Sequence, residues 1–256
     1  MKIVIPSHKR FNMIQLYTLA LLEKHNIDFD NVYIFVSPES YSEYLKLLPK
    51  YPCISIIKGG STILQQRNRI INHFNNGERI VEMDDDIEDI MNTHKEHPVS
   101  SVADLQKLFT DSFQMIGKKG LWGLNSNTNS FFADGKDKFG LYSIINSCCG
   151  YINDKSVVLS VKEKEDFERT LIHFEKGHKI LKRCGYGIKT KYWTNKGGIQ
   201  SVYDFEKRKE IQKQSAYQLL SKYPKYCYLR ERKNGITDIR FKNHIKVPTL
   251  PPIDPE

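Results

Sequence analysis

Four short apolar runs punctuate the first third of the chain: Ile3-Val4-Ile5, Val32-Tyr33-Ile34-Phe35-Val36, Cys53-Ile54-Ser55-Ile56-Ile57 and Ile80-Val81-Glu82-Met83. Segments of helical period separate them. Asn12 to His25 places Met13, Leu16, Leu19, Ala20 and Leu22 on one face, and residues 62–75 do the same with Ile63, Leu64, Ile70, Ile71 and Phe74. Ser40 to Leu48 reads as a shorter helix that Pro49 ends. Strand and helix in strict alternation predict an α/β fold: a mostly parallel sheet with flanking helices, joined by right-handed crossovers.

The pattern then changes. Residues 101–117 read as a helix, Leu121 to Leu124 as a strand, and Asn125 to Lys138 as a polar loop long enough to serve a function. Gly140 to Ile152 suggests one or two short strands, Glu163 to Lys182 a helix, and Gly185 to Trp193 a strand. A charged helix over 204–222 precedes two strand-like runs that flank Lys233-Asn234-Gly235, a hairpin with Asn-Gly at its turn. The expected organisation is a main domain over 1–200, a basic helix and hairpin over 201–247 packed on it, and a Pro-rich tail over 248–256.

The fourth apolar run ends on Asp84-Asp85-Asp86. Three acids crowded at a strand end repel one another unless a cation is shared between them. Mg²⁺ and similar hard cations take one or two protein carboxylates together with phosphate oxygens. If the chain stays extended here, Asp84 and Asp86 share a face and Asp85 points away. The plain alternative is a solvated acidic turn. Ligands of open α/β sheets bind beyond the carboxyl ends of the strands. Three such ends fall at Pro6-Ser7-His8-Lys9-Arg10, Gly59-Gly60-Ser61 and the acids, bringing amides, cations and carboxylates to one rim. Arg67, on the helix after Gly59-Gly60, is placed to meet a phosphate or a base edge, or to be a surface helix arginine.

Charge is uneven along the chain. Residues 176–246 hold 19 Lys/Arg against 5 Asp/Glu, whereas residues 1–175 hold 20 against 23. A concentrated basic segment on a near-neutral body points to a polyanionic partner, or to a solubilising face. Tyr186, Tyr192, Trp193, Tyr203, Tyr217, Tyr223, Tyr226 and Tyr228 are interleaved with these cations. Cations meet phosphates and aromatic rings stack bases or sugars, which fits DNA or RNA, and the pattern fits equally a core-plus-surface arrangement; Trp193, Lys207, Lys209, Arg230 and Arg232 are the candidate acceptor or DNA contacts. No apolar run approaches the ~20 residues needed to span a bilayer. The segment before the first strand is short for a signal peptide. Five cysteines without a Cys-x-x-Cys fit a reducing, cytoplasmic compartment better than a disulfide framework.

Taken in order, Ile5-Pro6-Ser7, Gly59-Gly60 with Arg67-Asn68, Met83-Asp84-Asp85-Asp86 and Lys164-Glu165-Asp166 resemble the nucleotide-binding half of GT-A fold glycosyltransferases. The resemblance spans roughly residues 1–200. It implies that Pro6 and Ser7 border the nucleotide base, with His8, Arg10, Arg67 and Asp85 around the donor. It also implies that Asp84 touches the ribose or sugar, that Asp86 with Asp84 binds Mn²⁺ or Mg²⁺, and that Asp166 is the catalytic base of an inverting transfer. Glu165 is the neighbour most easily confused with Asp166. Acids at a helix start are also favoured by the helix dipole alone, and both roles are compatible. Lys196, Gly197 and Gly198 form a loop suited to closing over the diphosphate. Many GT-A enzymes complete the metal shell with a histidine in this region. None stands between His178 and His244, so the third ligand is open.

A small GT-A enzyme with no membrane anchor and a basic C-terminal third resembles the DNA-base glycosyltransferases of phages and large viruses. That likeness implies transfer from a nucleotide sugar, with UDP-sugar expected, to a hydroxymethylpyrimidine in DNA. Three rivals stand beside it. The acceptor could be a glycan, lipid or protein. A nucleotidyltransferase would show a Gly-rich loop after the first strand, where this chain has Ser7-His8-Lys9-Arg10. A non-catalytic nucleic-acid-binding protein leaves the three acids without a use.

Overall fold

A computed structural model of the chain describes residues 1–94, 98–129, 135–190, 204–232, 235–243 and 245. The first apolar runs become strands β1 (Lys2–Ser7), β2 (Val32–Val36), β3 (Ser55–Lys58) and β4 (Arg79–Met83). Between β1 and β2 run α1 (Phe11–Ile14), a π turn (Gln15–Leu19) and α2 (Ala20–Lys24) without a break. The expected helix over Ser40 to Leu48 is instead fragmented, with α3 (Tyr41–Tyr44) between two 3₁₀ turns. Before β4 stands α4 (Ile63–His73), started by a capping box in which Thr62 and Gln65 satisfy each other's backbone N–H groups.

The middle of the chain supplies β5 (Asp89–Asn92), β6 (Ser100–Ser101), α5 (Leu105–Ile116), β7 (Gly120–Asn125), β8 (Lys138–Phe139) and β9 (Cys148–Ile152). Then come α6 (Glu165–Glu175) and β10 (Lys179–Lys189). The expected helix over Glu163 to Lys182 is therefore too long. Gly177, in the left-handed region at φ +70°, breaks it, and the chain reverses into β10. The charged helix is α7 (Phe205–Lys222), capped by Asp204, and the hairpin is β11 (Cys227–Glu231) with β12 (Thr237–Phe241).

The ten strands of the main sheet lie in the order β3-β2-β1-β4-β9-β7-β10-β5-β6, with β8 also paired to β10. β3, β2, β1 and β4 are parallel, as are β7 and β10, while β9, β5 and β8 run the opposite way. Both faces are covered, as a mostly parallel sheet requires. On one face Ile3, Ile5, Ile34, Val36 and Val81 pack with Leu22, Phe109, Phe113 and Trp122. On the other, Val4, Phe35 and Ile80 join Ile70 of α4, Leu171 and Phe174 of α6, and Ala216 and Leu219 of α7. The same second cluster takes Cys227, Ile239 and Phe241 of the hairpin, so the C-terminal elements are built into this face. The strand order reverses between β1 and β4, and their carboxyl ends, Ser7 and Met83, open the crevice that such a reversal creates.

Candidate active site

A cleft of about 1270 Å³ opens at that reversal. One wall carries Ser7, Arg10, Asp84, Asp85 and Asp86; Glu165 and Asp166 lie at the start of α6; the other wall carries Arg208 of α7 and Tyr228, Arg230, Arg232, Asp238 and Arg240 of the hairpin.

β4 ends at Met83, so the three acids lie in a turn and strand alternation does not sort them. Arg10 does. Its Nη1 donates to Asp85 Oδ1 at 2.9 Å and to Asp86 Oδ2 at 3.0 Å, so those two carboxylates face one guanidinium. Asp85 is buried, and the Ser7 hydroxyl donates to it at 2.5 Å. Ser7 in turn meets the Tyr44 hydroxyl at 2.6 Å, and Tyr44 accepts from the Arg10 amide at 3.1 Å. Ser7 and Asp85 thus brace the end of β1 against the acid turn. Asp84 is the open member, with 35% of its side chain exposed to the cleft. Burial pushes its pKa up to about 7, with Asp86 and Asp85 adding to the push and Arg67 opposing it. Water in the cleft offsets part of that shift.

Arg67 is not a surface residue. It is buried, tied to Glu82 through Nη1, with Nη2 at 3.6 Å from Asp84 and Nε at 3.9 Å from Glu165. Glu82 is fully buried in β4 and also accepts from Arg169 at 3.0 Å and from the Tyr151 hydroxyl. Two cations compensate the desolvation of Glu82, and its pKa falls below the usual carboxylate value despite burial. Arg169 extends the network to Asn146 at 3.3 Å, and Asn146 donates to Glu165 at 3.5 Å. Arg67 therefore stands under both Asp84 and Glu165, linking the acid turn to the start of α6.

Burial drives Asp166 up to about 7, with Glu165 adding, while the Phe167 amide, Lys164 and Arg67 pull the other way. A carboxylate whose pKa is raised toward neutrality is suited to general-base work. Pro6 and His8 also line the cleft. His8 Nδ1 lies 2.9 Å from the Ser37 hydroxyl. The amides of the glycine turn are all spent inside the fold: Gly59 donates to Val36, Gly60 to Gln66 at 2.6 Å, and Ser61 and Thr62 to Gln65. The expectation that this strand end brings amides to the rim is thus corrected. A Cβ on either glycine would collide with Gln66 or Gln65, which explains the pair without a phosphate.

Among the described residues no group of three or more His, Cys, Asp or Glu side chains is arranged to hold a metal. Two carboxylates, Asp84 and Asp86, fit the smaller share that a hard cation takes when phosphate oxygens supply the rest. The open, charge-crowded Asp84 is the observation that suits it.

Arg230 and Arg232 line the cleft, whereas Lys207 and Lys209 are not among its lining residues. Trp193, Lys196, Gly197 and Gly198 lie outside the described residues. No role was read from the sequence for Glu82, Arg169, Asp238 or Arg240, and Lys164 entered only as part of the Lys164-Glu165-Asp166 motif. A glutamate inside the apolar run Ile80 to Met83 was the one local signal, since a buried charge needs partners.

A family model of the TET-associated glycosyltransferases matches residues 1–198. The chain belongs to this family. Its members are glycosyltransferases, and the acid turn and Asp166 both fall within the matched span. No curated protein matches the chain. Among solved structures, it resembles 4-diphosphocytidyl-2C-methyl-D-erythritol synthase from Anaerococcus prevotii at 11% identity and a TM-score of 0.47, over 85% of this chain and 95% of that one. It also resembles the bifunctional IspDF of Campylobacter jejuni (12% identity, TM-score 0.41, 71% of this chain and 48% of that one). The glycosyltransferase GlyE of Streptococcus pneumoniae matches at 15% identity and a TM-score of 0.37, over 68% of this chain and 38% of that one. No helix among the described residues is long and apolar enough to cross a membrane.

Proposed function

We propose that this glycosyltransferase is metal-dependent and inverting, and that it moves a sugar from a UDP-sugar to the hydroxyl of a hydroxymethylpyrimidine in DNA. The observation that carries the reading is the shared cleft: the acid turn and Asp166 face a wall bearing Arg230, Arg232 and Arg240 beside Tyr228. The family's association with TET supports an acceptor in modified DNA.

Asp84 and Asp86 would hold Mn²⁺ or Mg²⁺, which offsets the charge that builds on the diphosphate leaving group. Arg10 keeps Asp85 and Asp86 in place, and Arg67 keeps Asp84 directed into the cleft. Asp166 takes the proton of the acceptor hydroxyl as its oxygen bonds to the anomeric carbon and the bond from that carbon to the diphosphate breaks. Attack opposite the leaving group inverts the anomeric centre. The arginine wall holds backbone phosphates, which position DNA without reading its sequence.

The test is a transfer assay with a panel of nucleotide sugars and Mn²⁺, using matched oligonucleotides with and without hydroxymethylpyrimidine. Transfer of one sugar to the hydroxymethylated strand alone, with inverted configuration, is expected. Undiminished transfer in the presence of a chelator, or a retained configuration, would sink the corresponding part of the reading.

A further inference from the structure

Four consecutive residues before and within the first turn of α6 reach four different parts of the molecule. Glu163 is buried, and accepts from Arg208 of α7 at 3.1 Å and from Gln212 at 3.1 Å. Lys164 sends its ammonium to Asp238 of β12, 3.5 Å away. Glu165 turns inward toward Arg67 and Asn146. Asp166 lines the cleft.

Lys164 sits at φ +64°, ψ +27°, a left-handed conformation that disfavours a side chain, and the helix it opens has no side-chain cap. Such a conformation persists only where surrounding contacts impose it. The contacts here are the Asp238 carboxylate and the Phe167 ring, whose centroid lies 5.8 Å from the ammonium.

Asp238 has other claims on it. Arg232 donates to its Oδ2 at 2.8 Å and 3.2 Å, and Arg240 Nη2 lies 3.2 Å from the same oxygen. In the hairpin Tyr228 opposes Arg240 and Arg230 opposes Asp238, so these four share one face of the ribbon. The opposite face, with Cys227, Ile239 and Phe241, is sealed in the core. One buried carboxylate on a basic, cleft-facing ribbon is thus shared between the acceptor wall and the residue that begins the base's helix.

We infer that Asp238 is a positioning residue: through Lys164 it sets where Asp166 stands, while it restrains Arg232 and Arg240 from binding the acceptor more tightly. The inference rests on the transferase reading with a DNA acceptor. It makes the two effects of neutralising Asp238 opposite in sign, which a brace that merely holds the hairpin in place cannot do.

The experiment uses the full chain with Asp238→Asn and, separately, Lys164→Met. Asp238→Asn removes an anion and loosens two guanidiniums, so unmodified duplex DNA should bind about threefold to tenfold tighter at low salt. Transfer turnover, or donor hydrolysis where no acceptor is used, should fall about tenfold, because small displacements of a base are costly. Amide exchange should speed up over residues 163–168, with the β11–β12 pairs still protected. Lys164→Met keeps the ribbon's own ion pairs, so it should reproduce the kinetic loss without the gain in DNA affinity. The double variant should be no slower than the slower single one. Loss of DNA affinity and turnover together, with exchange spreading through β11–β12, would reduce Asp238 to a structural brace and overturn the inference. So would unchanged turnover and exchange over 163–168 in either variant. A wild-type protein that binds no DNA defeats the acceptor reading separately, and exchange with donor hydrolysis still decides whether Asp238 positions Asp166.

Discussion

The acidic wall of the cleft keeps its charges by burying their partners, whereas the basic wall keeps its charges in water. Glu82, Arg67 and Arg169 are all under 4% exposed, and they fix Asp84 and Glu165 from beneath. Arg232 and Arg240 have side chains about half exposed, at 52% and 45%, with only Asp238 buried among them. The acidic wall also lies within the family-matched residues 1–198, and the basic wall lies beyond them. A buried network gives a fixed geometry and tolerates little change, while an exposed ribbon exchanges partners readily and is screened by salt. This division suits a reaction centre of fixed shape facing a large, charged acceptor.

The acidic wall should fail hardest when one of its two proposed metal-binding carboxylates goes. Asp86→Ala should bring transfer below detection and remove Mn²⁺-dependent binding of a nucleoside diphosphate, with the fold intact by circular dichroism. Arg10 still has Asp85, so the turn should survive. Full activity of this variant would mean that the division of labour between the walls is misread.

Asp166→Asn keeps the volume but cannot take a proton, so turnover should drop by at least about a hundredfold while donor affinity holds. A dead Glu165→Gln beside a near-normal Asp166→Asn would move the base by one residue. Because the folded-state pKa of Asp166 is raised to about 7, the active ionised form accumulates as pH rises through that value, and turnover should climb with it. Stability has the opposite sign. The raised pKa favours the protonated form in the folded protein, a contribution present below the unfolded pKa near 4 and lost as pH rises toward 7. A pH series of turnover and of unfolding midpoint, compared with Asp166→Asn, measures both.

Glu82→Gln attacks the foundation rather than the surface of the acidic wall. It leaves Arg67 and Arg169 buried without their shared anion, and removing one partner of a buried pair costs about 3–5 kcal/mol. Denaturant unfolding should show that loss. A change under ~1 kcal/mol, the scale of an exposed pair, would mean that water reaches the cluster and that the two walls differ less than burial indicates.

These charges also mark what could be read from the sequence. The parallel strands were legible because Gly, Pro and helical segments bound each apolar run, and the acid triplet was legible because it is consecutive. β5 was missed: Asp89-Ile90-Met91-Asn92 has neither a β-branched run nor clear alternation. The start of β10 was read as helix because Ile180 and Leu181 extend the apolar spacing of Leu171 and Phe174. Arg67 was left open between a phosphate or base-edge contact and a surface arginine because its partner Glu82 comes from a neighbouring strand that only the fold brings close. Lys164 and Asp238 are 74 positions apart, and no local pattern predicts that pairing. What is contiguous was readable, and what depends on pairing across elements was not.

On the basic wall, reversing Arg230 and Arg232 to glutamate should weaken duplex binding and lower the salt dependence by up to about two phosphate contacts. Donor hydrolysis should change far less than DNA affinity. Equal losses in both would show that the ribbon belongs to the donor site.

The smallest effect should come from Lys207→Glu with Lys209→Glu. The same number of charges is reversed, but these side chains rise from the first turns of α7 and are not among those lining the cleft. If affinity followed net charge alone, this pair and the arginine pair would weaken DNA binding equally. If phosphates are held at the cleft, the lysine pair acts only through the screened field of the surface, which fades over about 10 Å at 0.1 M salt. Duplex affinity measured for both variants at 50 and 200 mM salt should therefore show a small loss for the lysine pair that disappears at the higher salt. The loss for the arginine pair should remain. Matching losses at both salt concentrations would replace a shaped acceptor wall with a diffuse basic face.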